Sequence, residues 1–341
     1  MKTFRCACSN RLFFDNSLCL SCQRDVGFSV ERANFVRLDA NPDGPSEGVR
    51  PCANYGSGLC NWVLEADATT DLCLACRLNV ETPVSGGTDH ELMQRVETAK
   101  RRLVFSLLDL GLPVIPLNED PGGVGFALRR GTPDEPVIIG HADGLITLDL
   151  NEADPAQREE ARKKLGEDYR TLLGHFRHEV GHYFWTRFFS SDAELERFRA
   201  VFGDERADYS EALKTHYATP RTDYQDTHVS SYATSHPWED WAETWAHYLH
   251  ILDSWQTAVT FGLRVPHANA RTTPRPIQET LDDWCELMIA LNSMNRSMGH
   301  SDAYPFQLAP KVREKLVFID EIVKAETSAR EPTASKHVPA A

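Results

Sequence analysis

Apolar residues recur at helical spacing through "LMQRVETAKRRLVFSLLDLG", which predicts a helix ended by Gly111 and Pro113. Thr88, with Glu91 three residues on, reads as a capping box at its start. From Val114 to Asn151 the pattern shifts to short apolar runs punctuated by Pro and Gly. There "PVIIGHADGLITLDL" predicts a hairpin turning at Ala142, Asp143 and Gly144 within a small sheet. Helical composition returns in "DPAQREEARKKLGEDYRTLLGHFRHEVGHYFWTRFF", interrupted near Gly166. Two later stretches, "PIQETLDDWCELMIALNSMNRSMG" and "APKVREKLVFIDEIVKAE", also carry helical periodicity, and the polar end "TSAREPTASKHVPAA" predicts a disordered tail. The fold class expected is α+β: a mostly helical domain with a small β-sheet behind a cysteine-rich start. Pro83, Gly86 and Gly87 mark the junction, so the expected layout is 1–83, 84–325 and a tail over 326–341.

Composition narrows the class. At 341 residues the chain can bury a sizeable core, and no apolar run approaches the roughly 20 residues that cross a bilayer. The start "MKTFRCACSNRLFF" lacks the apolar stretch and small-residue cleavage site of a signal peptide, so the expected compartment is the cytoplasm. A net charge of -14 argues against a nucleic-acid backbone or an anionic membrane as partner.

Eight of nine cysteines precede Arg77. "SLCLSC" and "DLCLAC" echo each other, so the segment reads as a diverged repeat of a four-cysteine unit ending in a CxxC knuckle. Such a knuckle supplies two thiolates from one tight turn, and zinc prefers four in tetrahedral array. The expected sites are Cys6, Cys8, Cys19 and Cys22, and Cys52, Cys60, Cys73 and Cys76, with exchange between the groups as the alternative. All-thiolate sites are closed and therefore structural. With eight basic and ten acidic side chains, residues 1–83 suit scaffolding or protein docking better than nucleic acid. Cys285 stands alone in a helical pattern and reads as packing.

His178, Glu179, Val180, Gly181 and His182 form an HExxH. On a helix, residues four apart share a face, so the two histidines can bind one zinc while Glu179 points at its open position. A hydrolytic zinc needs a third protein ligand. The best source is "SSYATSHPWEDWAETWAHYLH": Pro237 suits a first helical position, and Glu239, Glu243 and His247 then share one stripe. By spacing alone His236 and Asp240 remain rivals, and His175 reads as a structural neighbour.

The run of Tyr232, Glu239 and Glu243 resembles the second half of the active site in the anthrax lethal factor-like gluzincins. The wider set "LLGHFRHEVGHYFW", "FGDERADY" and "HPWEDWAETWAHYLH", behind the cysteine-rich start, is similar to a bacterial family of zinc-binding metallopeptidases with an N-terminal zinc ribbon. The resemblance implies a zincin-like fold. It implies that His178, His182 and Glu239 bind zinc, Glu179 is the base, Tyr232 donates to the oxyanion, and Glu243 orients a ligand histidine. Three zinc ions follow, one catalytic and two structural, with a peptide or protein as substrate. The strand "GLITLDL" is then expected to be a sheet edge lining the cleft. Two other readings use the same residues: an adaptor that binds a protein or peptide without turnover, and a zinc hydrolase of a non-peptide amide.

Overall fold

The computed structural model describes residues 2–38, 48–83, 87–132, 134–165, 171–263 and 275–330. Its architecture is α+β, an N-terminal zinc ribbon with two four-cysteine sites followed by a mostly helical domain with a small sheet. The ribbon is built from short antiparallel pairings: β1 (Phe4–Arg5) with β2 (Arg11–Leu12), β3 (Leu18–Cys19) with β4 (Arg24–Ser29), β4 with β5 (Asn34–Arg37), and β6 (Val49–Pro51) with β7 (Val63–Glu65). One helical turn, α1 (Leu74–Arg77), carries Cys76.

The next strand, β8 (Asn79–Glu81), falls inside the segment 1–83 but pairs with β9 (Gly125–Arg129) of the second part. The resulting sheet runs β10 (Gly140–Ala142), β11 (Leu145–Asp149), β9, β8. The β10 to β11 hairpin turns where Asp143 and Gly144 take φ of 48° and 81°, the paired left-handed conformation that a tight two-residue turn requires. Contrary to expectation, the strand within "GLITLDL" is not an edge: it is β11, hydrogen-bonded on both sides, and the edges of the sheet are β10 and β8. Register with β9 sets that order, and β9 lies outside the hairpin.

Helix α2 (Thr88–Asp109) begins one residue earlier than a Thr88 cap requires: Gly87, at φ 57°, is the N-cap and Thr88 is the first helical residue. Then come α3 (Pro155–Leu165), α4 (Leu172–Phe188), α5 (Asp192–Phe202), α6 (Tyr209–Ala218), α7 (Pro237–Thr260), α8 (Ile277–Ser297) and α9 (Pro310–Arg330). Helix α9 extends to Arg330, so residues 326–330 of the expected tail are helical, held partly by an Arg330 to Glu326 ion pair one turn back. Residues 331–341 lie outside the described residues. Among the described residues no helix is long and apolar enough to cross a membrane.

One buried cluster runs from Phe4 to Val323. Phe105 of α2 bridges the two parts, its ring 6.1, 5.0 and 5.6 Å from those of Phe4, Phe14 and Phe28. A polar knot ties β8 to α2: the buried Glu97 accepts through Oε1 from buried Lys100 Nζ and from half-buried Asn79 Nδ2, each at 2.8 Å. Helices α4 and α7 pack along each other, and Trp241 Nε1 donates to the Gly181 carbonyl at 2.8 Å.

Candidate metal centre

Thr171 caps α4 by accepting the Gly174 N–H at 3.0 Å, which starts the helix so that His178, Glu179 and His182 face α7 and are buried. At the other side Pro237 occupies the first turn of α7, and His236 precedes it as N-cap. Glu239 therefore sits in the first turn, where the helix dipole favours a carboxylate. It is 1% exposed.

Three ligand-type atoms converge. Glu239 Oε2 lies 3.0 Å from His178 Nε2 and 3.5 Å from His182 Nε2. Ligands about 2.0 Å from a tetrahedral ion are about 3.3 Å apart, and the two distances bracket that value. His178 Nδ1 donates to Glu243 Oε1 at 2.8 Å, so a neutral His178 turns its Nε2 lone pair toward Glu239. Two acceptors facing each other at that range need a positive charge between them, which a metal ion supplies or, in its place, a second proton on His178 that donates to Glu239. Burial disfavours the His178 imidazolium, but hydrogen bonds to Glu239 and Glu243 outweigh it and hold its pKa well above the ordinary value. Burial likewise opposes charge on Glu239, yet His182 and His178 hold it well below the usual carboxylate range. Glu179 Oε2 and His182 Nδ1 are buried with no hydrogen-bond partner among the described residues. The donor set fits zinc.

The rivals are otherwise engaged. His236 uses both ring nitrogens, Nδ1 accepting from Trp238 N and Nε2 donating to Ala207 O, each at 3.1 Å. Asp240 is paired with buried Lys315 at 2.6 Å. His175 Nδ1 lies 3.5 Å from Glu152, away from the three converging residues. His247 faces Tyr304. Tyr232, in a 3-10 turn over Tyr232–Thr234, stands beside the site with its ring 5.9 Å from that of His178. Burial first and the charge of Glu239 second push its phenol far up.

Sequence reasoning missed two groups. Ser230 donates to the second oxygen of Glu243 at 2.6 Å, and Tyr209 donates to Glu239 Oε1 at 2.6 Å. Asp208, three residues before Glu211, could have signalled the helix that starts at Tyr209. No local pattern connects Tyr209 to Glu239.

The cysteines gather in two groups of four, Cys6, Cys8, Cys19 and Cys22, and Cys52, Cys60, Cys73 and Cys76. Sulfur separations of 3.8 Å (Cys6 to Cys22), 3.6 Å (Cys8 to Cys19) and 3.6 Å (Cys60 to Cys73) match the roughly 3.8 Å spacing of thiolates around zinc. Backbone N–H groups of Cys73 and Trp62 point at Cys52 and Cys60 sulfurs. Contacts with the other three sulfurs hold the Cys52 thiol far below its ordinary pKa, and contact with Cys52 pushes Cys60 and Cys73 up. Cys285 lies apart, beside Arg313.

The family described as "Putative zinc-binding metallo-peptidase" matches residues 89–322, and a zinc-ribbon domain matches residues 3–85. Uncharacterized proteins of Mycobacterium bovis and of two strains of Mycobacterium tuberculosis are each 43% identical over 344 aligned positions, covering 98% of this chain and 99% of theirs. No solved structure matches.

Proposed function

This chain belongs to the zinc-binding metallopeptidase family, and on that premise we propose that it hydrolyses peptide bonds at the centre formed by His178, His182 and Glu239. The observation that carries the proposal is the convergence of the two imidazole Nε2 atoms on Glu239 Oε2, with Glu179 Oε2, which has no hydrogen-bond partner among the described residues, in the same helix turn.

His178, His182 and Glu239 would hold zinc. Bound there, zinc supplies Lewis acidity, which makes water nucleophilic near neutral pH and polarises a carbonyl. Glu179 takes a proton from the attacking water and returns it to the amine nitrogen as the C–N bond breaks. Tyr232 offers its O–H to the oxygen that gains negative charge. Glu243, itself held by Ser230, keeps the proton on His178 Nδ1 and fixes that ring.

Residues 1–83 carry two structural zinc ions and brace the peptidase part over 84–325. Support for bracing, as against a free docking arm, is the seating of Phe105 among Phe4, Phe14 and Phe28. The substrate is a peptide or protein in the cytoplasm, a compartment that suits nine cysteines free of disulfides. Incubation with a proteome-derived peptide library tests the reading. New termini should appear with the zinc-loaded protein and vanish with a chelator or with Glu179→Gln. A folded, fully metallated chain that cuts nothing would overturn it.

A further inference from the structure

Resting on the zinc-site reading above, we infer that Tyr209 is a positioning residue that presents Glu239 to the metal through one oxygen only. The Tyr209 hydroxyl donates to Glu239 Oε1 at 2.6 Å, while Oε2 faces His178 and His182. Glu239 is almost wholly buried, so no bulk water competes for the oxygen that Tyr209 occupies.

Burial does not explain why Tyr209 is there. Helix α6, which it opens, has no buried residue, and Tyr209 itself is 38% exposed. The segment leading into it is tied down at several points instead. Arg199 Nε meets Glu205 at 2.9 Å, His236 Nε2 donates to Ala207 O at 3.1 Å, and the Asp208 side chain caps the helix by accepting the Glu211 N–H at 3.0 Å. The Tyr209 ring stands edge-on to His236 and Trp238, with centroids 5.2 and 6.2 Å away. Those two residues flank Pro237 at the start of α7, one turn or less from Glu239. Tyr209 is thus referenced to the same helix start as the carboxylate it touches.

A carboxylate free at both oxygens can chelate zinc and fill the position that water or substrate must take. Engaging Oε1 with an O–H leaves Oε2 as a single ligand atom and orients it, the role that outer hydrogen bonds play at metal centres. His236 serves as the strut that locates Ala207 and hence Tyr209.

Tyr209→Phe keeps the ring and removes the O–H. Chains purified with their zinc are titrated with a chelator, and retained zinc is counted by elemental analysis. Expected is loss of one zinc at a roughly 10-fold or more lower chelator concentration than in the parent protein. The thiolate-bound ions should remain and the melting temperature of the zinc-loaded chain should hold, which shows that the fold is intact. If Tyr209→Phe releases that zinc at the parent's concentration, the inference is overturned, and a fall in kcat alone would then mean that the hydroxyl acts on substrate. If the parent chain itself holds no zinc beyond the thiolate-bound ions, the peptidase reading falls and the inference with it.

Discussion

Gly181 of α4 faces Ala242 of α7 so closely that a Cβ built on the glycine would lie 3.1 Å from the Ala242 Cα. The same Cβ would lie 3.1 Å from Cδ1 of Trp245, a side chain with no exposed surface. Glycine inside the HExxH thus allows the helix carrying the histidines to approach the helix carrying Glu239. For Gly181→Ala, helix propensity favours alanine by about 1 kcal/mol, whereas overpacking a filled site costs about 1–3 kcal/mol. Net destabilisation is expected in denaturant titrations, accompanied by weaker retention of zinc at the mixed site. An unchanged midpoint with full zinc would show that the helix pair relaxes freely.

Removing a ligand and removing the base should separate. His182→Ala and Glu239→Ala should each lose one zinc per chain by elemental analysis. Glu179→Gln should keep it while turnover falls by about 100-fold or more. Loss of zinc in Glu179→Gln would contradict the role given to that carboxylate.

Phe105 fixes the zinc ribbon to α2, so the ribbon should not be removable. Phe105→Ala is expected to cost about 3–5 kcal/mol, read from chemical denaturation. Deleting residues 1–83 should abolish cleavage of short peptides as well as proteins, since β8 and the partners of Phe105 leave together. A truncated chain that folds and cuts short peptides normally would refute bracing.

The two cysteine sites differ in access. Cys8 is exposed, whereas Cys52, Cys60, Cys73 and Cys76 are all buried. Under limited alkylation followed by peptide mass mapping, Cys8 should be modified first, with zinc released from its site well before the second site reacts. Simultaneous modification of both groups would refute that order.

Acid should expose the cap of α5. Glu194 Oε2 accepts the Ser191 N–H at 2.9 Å and the Ser190 N–H at 3.1 Å, contacts that lower its pKa below the ordinary 4.5. A depressed carboxylate contributes stability above its unfolded pKa and loses it as pH falls through the folded value. Ser191→Ala should therefore cost about 1 kcal/mol near neutral pH. Glu194→Gln should flatten the acid limb of the stability profile below about pH 4.5. An unaltered acid limb in Glu194→Gln would refute the assignment.

What the sequence made legible was local. CxxC spacing and the i, i+4 pair of His178 and His182 encode their geometry within one turn of chain, and Pro237 announces the start of α7. Glu239 lies 61 residues from His178, so periodicity left it level with His236 and Asp240, and a family resemblance separated them. The partners that disqualify these rivals, Ala207 and Lys315, come from a loop and from α9, and no spacing rule links them. Tyr209 escaped for the same reason. The place of β11 was misjudged because a hairpin pattern says which strands are neighbours but not which side the next strand joins.

Parallel pairing of β8 with β9 makes α2 the crossover between two neighbouring strands, one supplied by each part of the chain. The ribbon emerges first during synthesis, and a segment this small with two four-cysteine groups is expected to need metal before Phe4, Phe14 and Phe28 can seat Phe105. Chains made in zinc-depleted medium are therefore expected to give a smaller folded fraction than chains made with zinc, read by size-exclusion chromatography; an equal yield would show that the seat forms without metal.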